Sequence, residues 1–81
     1  MVSMFSDIEK SYEKKFIQLY EEFISHPKDI TIKKKADGMG MLGGPQFSKE
    51  INKAALGAYK MELGELSVKE AKKILEELKK A

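Results

Sequence analysis

The amino-acid sequence predicts a mainly α-helical domain in which a long N-terminal helix packs on a C-terminal αα-hairpin. Three observations lead to this prediction. Apolar residues recur at steps of three and four near both ends of the chain, Ser67 and Glu70 form a helix-capping box, and four of the six glycines fall between positions 38 and 44. With a length of 81 residues, we expect residues 1–81 to form a single small domain.

The first predicted helix covers about residues 5–25. Its main apolar row has the spacing that lines one face of an α-helix: Phe5, Ile8, Tyr12, Phe16, Leu19 and Phe23. A second row widens the apolar face and predicts contact with two neighbours: Ile17, Tyr20 and Ile24. We also expect an exposed row of this helix to take part in partner binding. Ser3 or Ser6 can cap the start, and the His26-Pro27 pair ends the helix because the residue before proline disfavours the α conformation.

The second and third predicted helices cover about residues 48–63 and 67–80. Ser48 can cap the second helix, Ser67 the third, and Gly64 suits the position just after a helix end. The second helix also contains four small residues, which predict that a neighbouring element approaches it closely: Ala54, Ala55, Gly57 and Ala58.

The segment between the first two helices, residues 27–47, is predicted to be a short β-ribbon or an irregular loop rich in glycine and methionine. Ile30 and Ile32 alternate with polar neighbours as in a strand, and the Asp37-Gly38 pair is typical of a hairpin turn. A ribbon here would make the fold a small α+β domain.

The composition argues against catalysis. Cysteine is absent, so the chain has no thiolate site, and His26 is the only histidine, so the chain cannot supply the two histidines of a His-Glu-His metal set. Paired glutamates lie on lysine-rich helices, where solvated surface is the simplest interpretation. We therefore expect no enzyme activity, no catalytic residue, no metal ligand and no cofactor.

The leading functional hypothesis is a small regulatory or adaptor protein that binds another protein. Met39, Met41 and Leu42 are flexible apolar side chains on a glycine-rich backbone, which suits an adaptable binding surface, although they can equally cover the helical core. Because a domain of this size has a marginal core, we expect a homodimer.

The alternative hypothesis is a dimeric DNA-binding repressor that resembles ribbon-helix-helix proteins in the order of its elements. Its strand would occupy residues 29–35 and enter a groove of DNA. Five lysines would contact the phosphates: Lys33, Lys34, Lys35, Lys49 and Lys53. The net charge of only +2 argues against this hypothesis.

The location and remaining partners are predicted from absences in the sequence. No apolar run approaches the length of about 18 residues that spans a bilayer, and the N-terminus does not resemble a signal peptide. We therefore expect a cytoplasmic protein with no membrane partner and no small-molecule substrate.

Overall fold

The computed structural model describes residues 4–80 of the chain, and its side chains from Asp7 onward. These residues form four α-helices and one short 3₁₀ turn at Met39–Met41. The helices are α1 (Met4–Ser25), α2 (Thr31–Ala36), α3 (Lys49–Glu62) and α4 (Val68–Lys80). The prediction of a mainly α fold, with a long N-terminal helix packed on a C-terminal αα-hairpin, is confirmed over this part of the chain.

The core lies where α1 packs against α3 and α4, with α2 closing one end. The main row of α1 supplies Phe16, Leu19 and Phe23 to it, while the side chain of Phe5 lies outside the described residues. The second row of α1 is covered as well: Tyr20 is fully buried, and Ile17 and Ile24 pack against the core. The predicted contact of this helix with more than one neighbour is confirmed, because α1 packs against α2, α3 and α4. That an exposed row of α1 contributes to partner binding stays a prediction.

Neighbouring helices approach α3 closely at Gly57. The hydroxyl of Tyr20 donates a hydrogen bond of 2.6 Å to the carbonyl of Ala54, one turn earlier on α3. A Cβ atom on Gly57 would collide with that hydroxyl and would lie 2.9 Å from Ile74 Cδ1 on α4. Burial raises the pKa of the Tyr20 hydroxyl above its ordinary value. Packing thus requires glycine at position 57. This agrees with the close approach that the small residues of this helix predict.

The starts of α3 and α4 are capped by serine, as predicted. The Ser48 Oγ accepts from the Ile51 N–H at 3.3 Å, and the Ser67 Oγ accepts from the Glu70 N–H at 3.1 Å. The Glu70 carboxylate lies 3.6 Å from Lys60 Nζ, so it links α4 to α3. At α1, Ser3 lies outside the described residues, and Ser6 falls within the helix rather than before it.

The turn between α3 and α4 is a Schellman motif. Gly64 has φ +76°, the left-handed conformation that glycine adopts without strain. Its N–H donates to the Met61 carbonyl at 3.1 Å, and the Glu65 N–H donates to the Lys60 carbonyl at 2.8 Å. The predicted position of Gly64 just after the helix end is therefore correct, and the reversal directs α4 back along α3.

The strand predicted at residues 29–35 is wrong, because this segment forms α2. The Asp29 carboxylate accepts hydrogen bonds from the Thr31 N–H at 2.9 Å and from the Thr31 hydroxyl at 2.7 Å, which starts the helix. Ile32 and Ala36, four residues apart, are buried on one side of it, whereas Ile30 is 76% exposed. The alternation of two isoleucines is too short to distinguish a strand from a helix turn. Residues 4–80 contain no strand.

The glycine-rich segment that follows α2 lies directly against α3. The Asn52 side chain accepts from the Gly44 N–H at 2.7 Å and donates to the carbonyls of Gly44, Phe47 and Ser48 at 3.0–3.3 Å. A Cβ atom on Gly43 would lie 2.7 Å from Asn52 Oδ1. The segment is therefore an ordered connection held by one asparagine, and not the returning strand of a ribbon.

Candidate functional site

An exposed apolar surface lies on the side of α3 that faces away from the core. Leu56 is 58% exposed, and Tyr59 and Leu63 are each 51% exposed. Tyr59 follows Leu56 by three residues and Leu63 follows Tyr59 by four, so the three side chains form one row along the helix. The 3₁₀ turn adjoins this row, because a Cβ atom on Gly40 would lie 2.8 Å from Tyr59 Cβ, and Met41 beside it is 87% exposed. We call the surface made by Leu56, Tyr59, Leu63 and Met41 the outer face.

One edge of the outer face is basic. Lys53 Nζ lies 3.4 Å from Glu77 Oε2, and Lys60 Nζ lies 3.6 Å from Glu70 Oε2, so both lysines reach towards α4. Lys49 lies one turn before Lys53 on the same edge. We call Lys49, Lys53 and Lys60 the basic edge. Solvent-exposed pairs of this length contribute little to stability, so the lysines can exchange their partners easily.

The opposite edge of the outer face, towards α2, is acidic. The side chains of Asp37 and Glu62 are neighbours, and interaction with the Asp37 carboxyl group, together with partial burial, raises the pKa of Glu62. We call Asp37 and Glu62 the acidic edge. At neutral pH its two carboxylates lie close together and repel each other, so a cation brought to this edge would be favoured.

The predicted partner-binding residues differ in their exposure to solvent. Met41 is almost fully exposed, whereas Met39 and Leu42 pack against the core and are only partly exposed. Met39 and Leu42 thus cover part of the helical core. This is one of the two roles that the sequence allows for them, the other being partner binding. The sequence pattern does not single out the row of Leu56, Tyr59 and Leu63 as a surface, because apolar residues occupy both sides of this helix. The position of the row opposite the alanines is the signal that could have identified it.

The predicted nucleic-acid contacts do not gather on one surface. Lys33, Lys34 and Lys35 are consecutive on the short helix α2, so their side chains leave it in different directions. Lys35 forms a 2.8 Å ion pair with Glu22 of α1, and this hydrogen bond raises the pKa of Lys35. Lys49 and Lys53 instead belong to the basic edge of α3. The strand that the ribbon-helix-helix hypothesis needs is not formed within residues 4–80.

Comparison with protein-family models, with curated proteins and with solved structures found no match to this chain. Functional inference therefore rests on the side chains themselves. Over the described part of the chain, no three His, Cys, Asp or Glu residues are grouped so as to hold a metal ion. None of the helices α1 to α4 has both the length and the apolar character needed to cross a membrane.

Proposed function

We propose that this chain is a small non-enzymatic regulatory or adaptor protein that acts by binding protein, and that a second copy of the chain binds to its outer face. The observation that carries the proposal is the row of three large apolar side chains on α3, each about half exposed, next to the almost fully exposed Met41. Contiguous apolar surface of this kind is typical of protein-binding sites.

A second copy is favoured as the occupant because the two edges of the outer face are complementary in charge. A two-fold axis parallel to α3 makes the two copies of α3 parallel, and it places the basic edge of one protomer against the acidic edge of its partner. An axis perpendicular to α3 makes the helices antiparallel. It places the two basic edges against each other and the two acidic edges against each other. We therefore expect the parallel arrangement, in which Lys60 approaches Glu62 of the other protomer.

The size of a stable interface supports the participation of the whole outer face. A standard interface buries about 800 Å² on each partner, more than three half-exposed side chains can supply. Met41 and the stems of the lysines on the basic edge must therefore contribute. Burial of this surface would also add apolar area to a domain whose own core is small.

The oligomeric state tests the proposal directly. Sedimentation equilibrium over a range of protein concentrations should give a mass that rises to twice that of the chain. Leu56→Lys should keep the chain monomeric while its helical circular dichroism is unchanged. The matched control is Ile30→Lys, since Ile30 is also exposed but lies on α2's side of the molecule, away from the outer face. A chain that stays monomeric at about 1 mM, or a dimer that survives Leu56→Lys, would contradict the proposal.

Charge reversal tests the parallel arrangement. Lys60→Glu and Glu62→Lys should each weaken the dimer, because each places like charges across the interface. An equimolar mixture of the two variants should associate, since every contact between residues 60 and 62 then joins opposite charges. If the wild-type chain associates no more tightly than the single variants, the parallel arrangement is wrong.

A further inference from the structure

A cavity lies at the end of the molecule where the α1–α2 connection meets the turn between α3 and α4. It has a volume of about 540 Å³. Its floor is apolar and consists of four buried side chains: Phe23, Ile32, Met61 and Leu66. We call this cavity the end groove. Its size falls within the range of about 300–1,000 Å³ that is typical of small-molecule sites.

The rim of the end groove carries a surplus of positive charge. Lys28 and Lys33 line it together with Asp29, whose carboxylate accepts both hydrogen bonds from Thr31. Lys33 reaches over the turn after α3, where its Nζ would lie 3.2 Å from a Cβ atom on Gly64. An ammonium group therefore stands at the opening of an apolar cavity.

An exposed apolar side chain marks the same opening. Ile30, at the start of α2, lines the end groove and is 76% exposed, although Ile32 two residues later is buried in the floor. Neither the core nor the outer face uses Ile30. Its position is explained if an apolar molecule lies in the groove beneath it, because the side chain would then be covered.

We propose that the end groove binds a small amphipathic anion whose apolar body lies on the floor and whose carboxylate or sulfonate pairs with Lys33 and Lys28 at the rim. The floor removes apolar surface of the ligand from water, while the lysines select for negative charge. None of the lining residues belongs to the outer face, so this inference does not rest on the proposed dimer.

Two fluorescent probes with the same apolar body test the proposal. 8-Anilinonaphthalene-1-sulfonate carries a sulfonate, and N-phenyl-1-naphthylamine does not. We expect saturable binding of one sulfonate probe per chain, about tenfold tighter than the neutral probe, as one charge-assisted contact at a rim would give. Equal affinity for the two probes, or no saturable binding of the sulfonate, would overturn the proposal.

Substitutions locate the probe on the chain. Lys33→Gln should weaken the sulfonate probe towards the affinity of the neutral one and leave the neutral probe unchanged. Lys34→Gln is the matched control, because Lys34 is the next residue on α2 and does not line the groove. Val68→Trp should block both probes by filling the groove, with circular dichroism to show that the variant is folded.

The outer face supplies the remaining control. Leu56→Lys should leave binding of both probes unchanged. If Leu56→Lys removes the sulfonate probe while Lys33→Gln does not, the probe lies on the outer face and the end groove is not its site. Because the oligomeric state is measured separately, failure of this proposal and failure of the proposed dimer give different results.

Discussion

The two sides of α3 are both apolar, but small residues occur only on the buried side, between the large buried residues Ile51 and Met61. The buried side has Ala54, Gly57 and Ala58, which let α1 and α4 approach the helix backbone. The outer face has Leu56 and Tyr59 with Leu63, which no other part of the described chain covers. Apolar character alone therefore does not tell which side of a helix is buried within its own chain. What distinguishes the buried side is the group of small residues at its centre, where neighbouring helices approach the backbone.

The comparison predicts that substitutions on the buried side change the free energy of unfolding, whereas those on the outer face change association. Gly57→Ala should have the largest effect, a loss of about 1–3 kcal/mol, because the added methyl group collides with Tyr20 and Ile74. This loss outweighs the gain of about 1 kcal/mol that alanine normally gives over glycine within a helix. Urea unfolding followed by circular dichroism measures it.

The matched control for Gly57→Ala is the same substitution in a Tyr20→Phe background. Removing the hydroxyl relieves the closest contact, so Gly57→Ala should destabilise this background less than the wild type. Equal losses in the two backgrounds would mean that the Tyr20 hydroxyl does not determine the need for glycine.

Asn52→Ala should lower the free energy of unfolding by about 1–2 kcal/mol, because Gly44, Phe47 and Ser48 lose their partner on α3. Faster hydrogen exchange at the Gly44 amide would locate the change in the connection. Asn52→Asp is the matched control of equal size. It keeps an acceptor for Gly44 but places a carboxylate beside carbonyl oxygens, so it should destabilise the fold too. A stable Asn52→Asp variant would contradict this role of the amide group.

Tyr20→Phe should lower the free energy of unfolding by about 1 kcal/mol at pH 7, since it removes the hydrogen bond to Ala54. The variant should also change the pH dependence. Burial raises the Tyr20 pKa, so above pH 10 the unfolded chain releases a proton that the folded chain keeps.

The contribution of Tyr20 to stability is thus complete below about pH 10 and is lost as pH rises further, at up to about 1.4 kcal/mol per pH unit. Lysines and the other tyrosines titrate in the same range, so the measurement is the difference in slope between the wild type and Tyr20→Phe. Identical slopes would show that Tyr20 titrates alike in the folded and unfolded chain.

The smallest effects on folding are expected at the outer face. Leu56→Ala should change the free energy of unfolding by less than about 0.5 kcal/mol when measured at a concentration where the chain is monomeric. Glu62→Gln should stabilise the monomer at neutral pH, because it removes the repulsion from Asp37. The same substitution should weaken the dimer, since Lys60 of the other protomer loses its partner. A Glu62→Gln variant with unchanged or stronger association would argue against the charge pairing.

Much of the fold could be predicted from local patterns. The rows on α1, the caps at Ser48 and Ser67 and the turn at Gly64 depend on residues within one or two helical turns of each other, so the sequence displays them directly. The connection could not be predicted in this way. Asp29 and Thr31 start α2, and Asn52 from a later helix holds the glycine segment. The strand prediction failed because two alternating isoleucines also fit one exposed and one buried position of a helix.

The candidate site was predicted only in part. Of the three residues predicted to bind a partner, Met41 is exposed, whereas Met39 and Leu42 pack against the core. Whether a methionine on a flexible segment is exposed depends on where the segment packs, and the sequence does not contain that information in a local form. The end groove is formed by residues from all four helices and from two connections, and no spacing within any one of them indicates it.

By itself the sequence determined that this chain forms long amphipathic helices, that they begin and end at defined residues, and that one of them needs small side chains where its neighbours approach. These properties follow from helical periodicity and from hydrogen bonds between near neighbours. Only the tertiary structure decided which apolar row of α3 is covered, because covering depends on helices that are distant in sequence. It likewise set the basic and acidic edges on opposite sides of the outer face, since the position of Asp37 beside Glu62 depends on how α2 packs against α3.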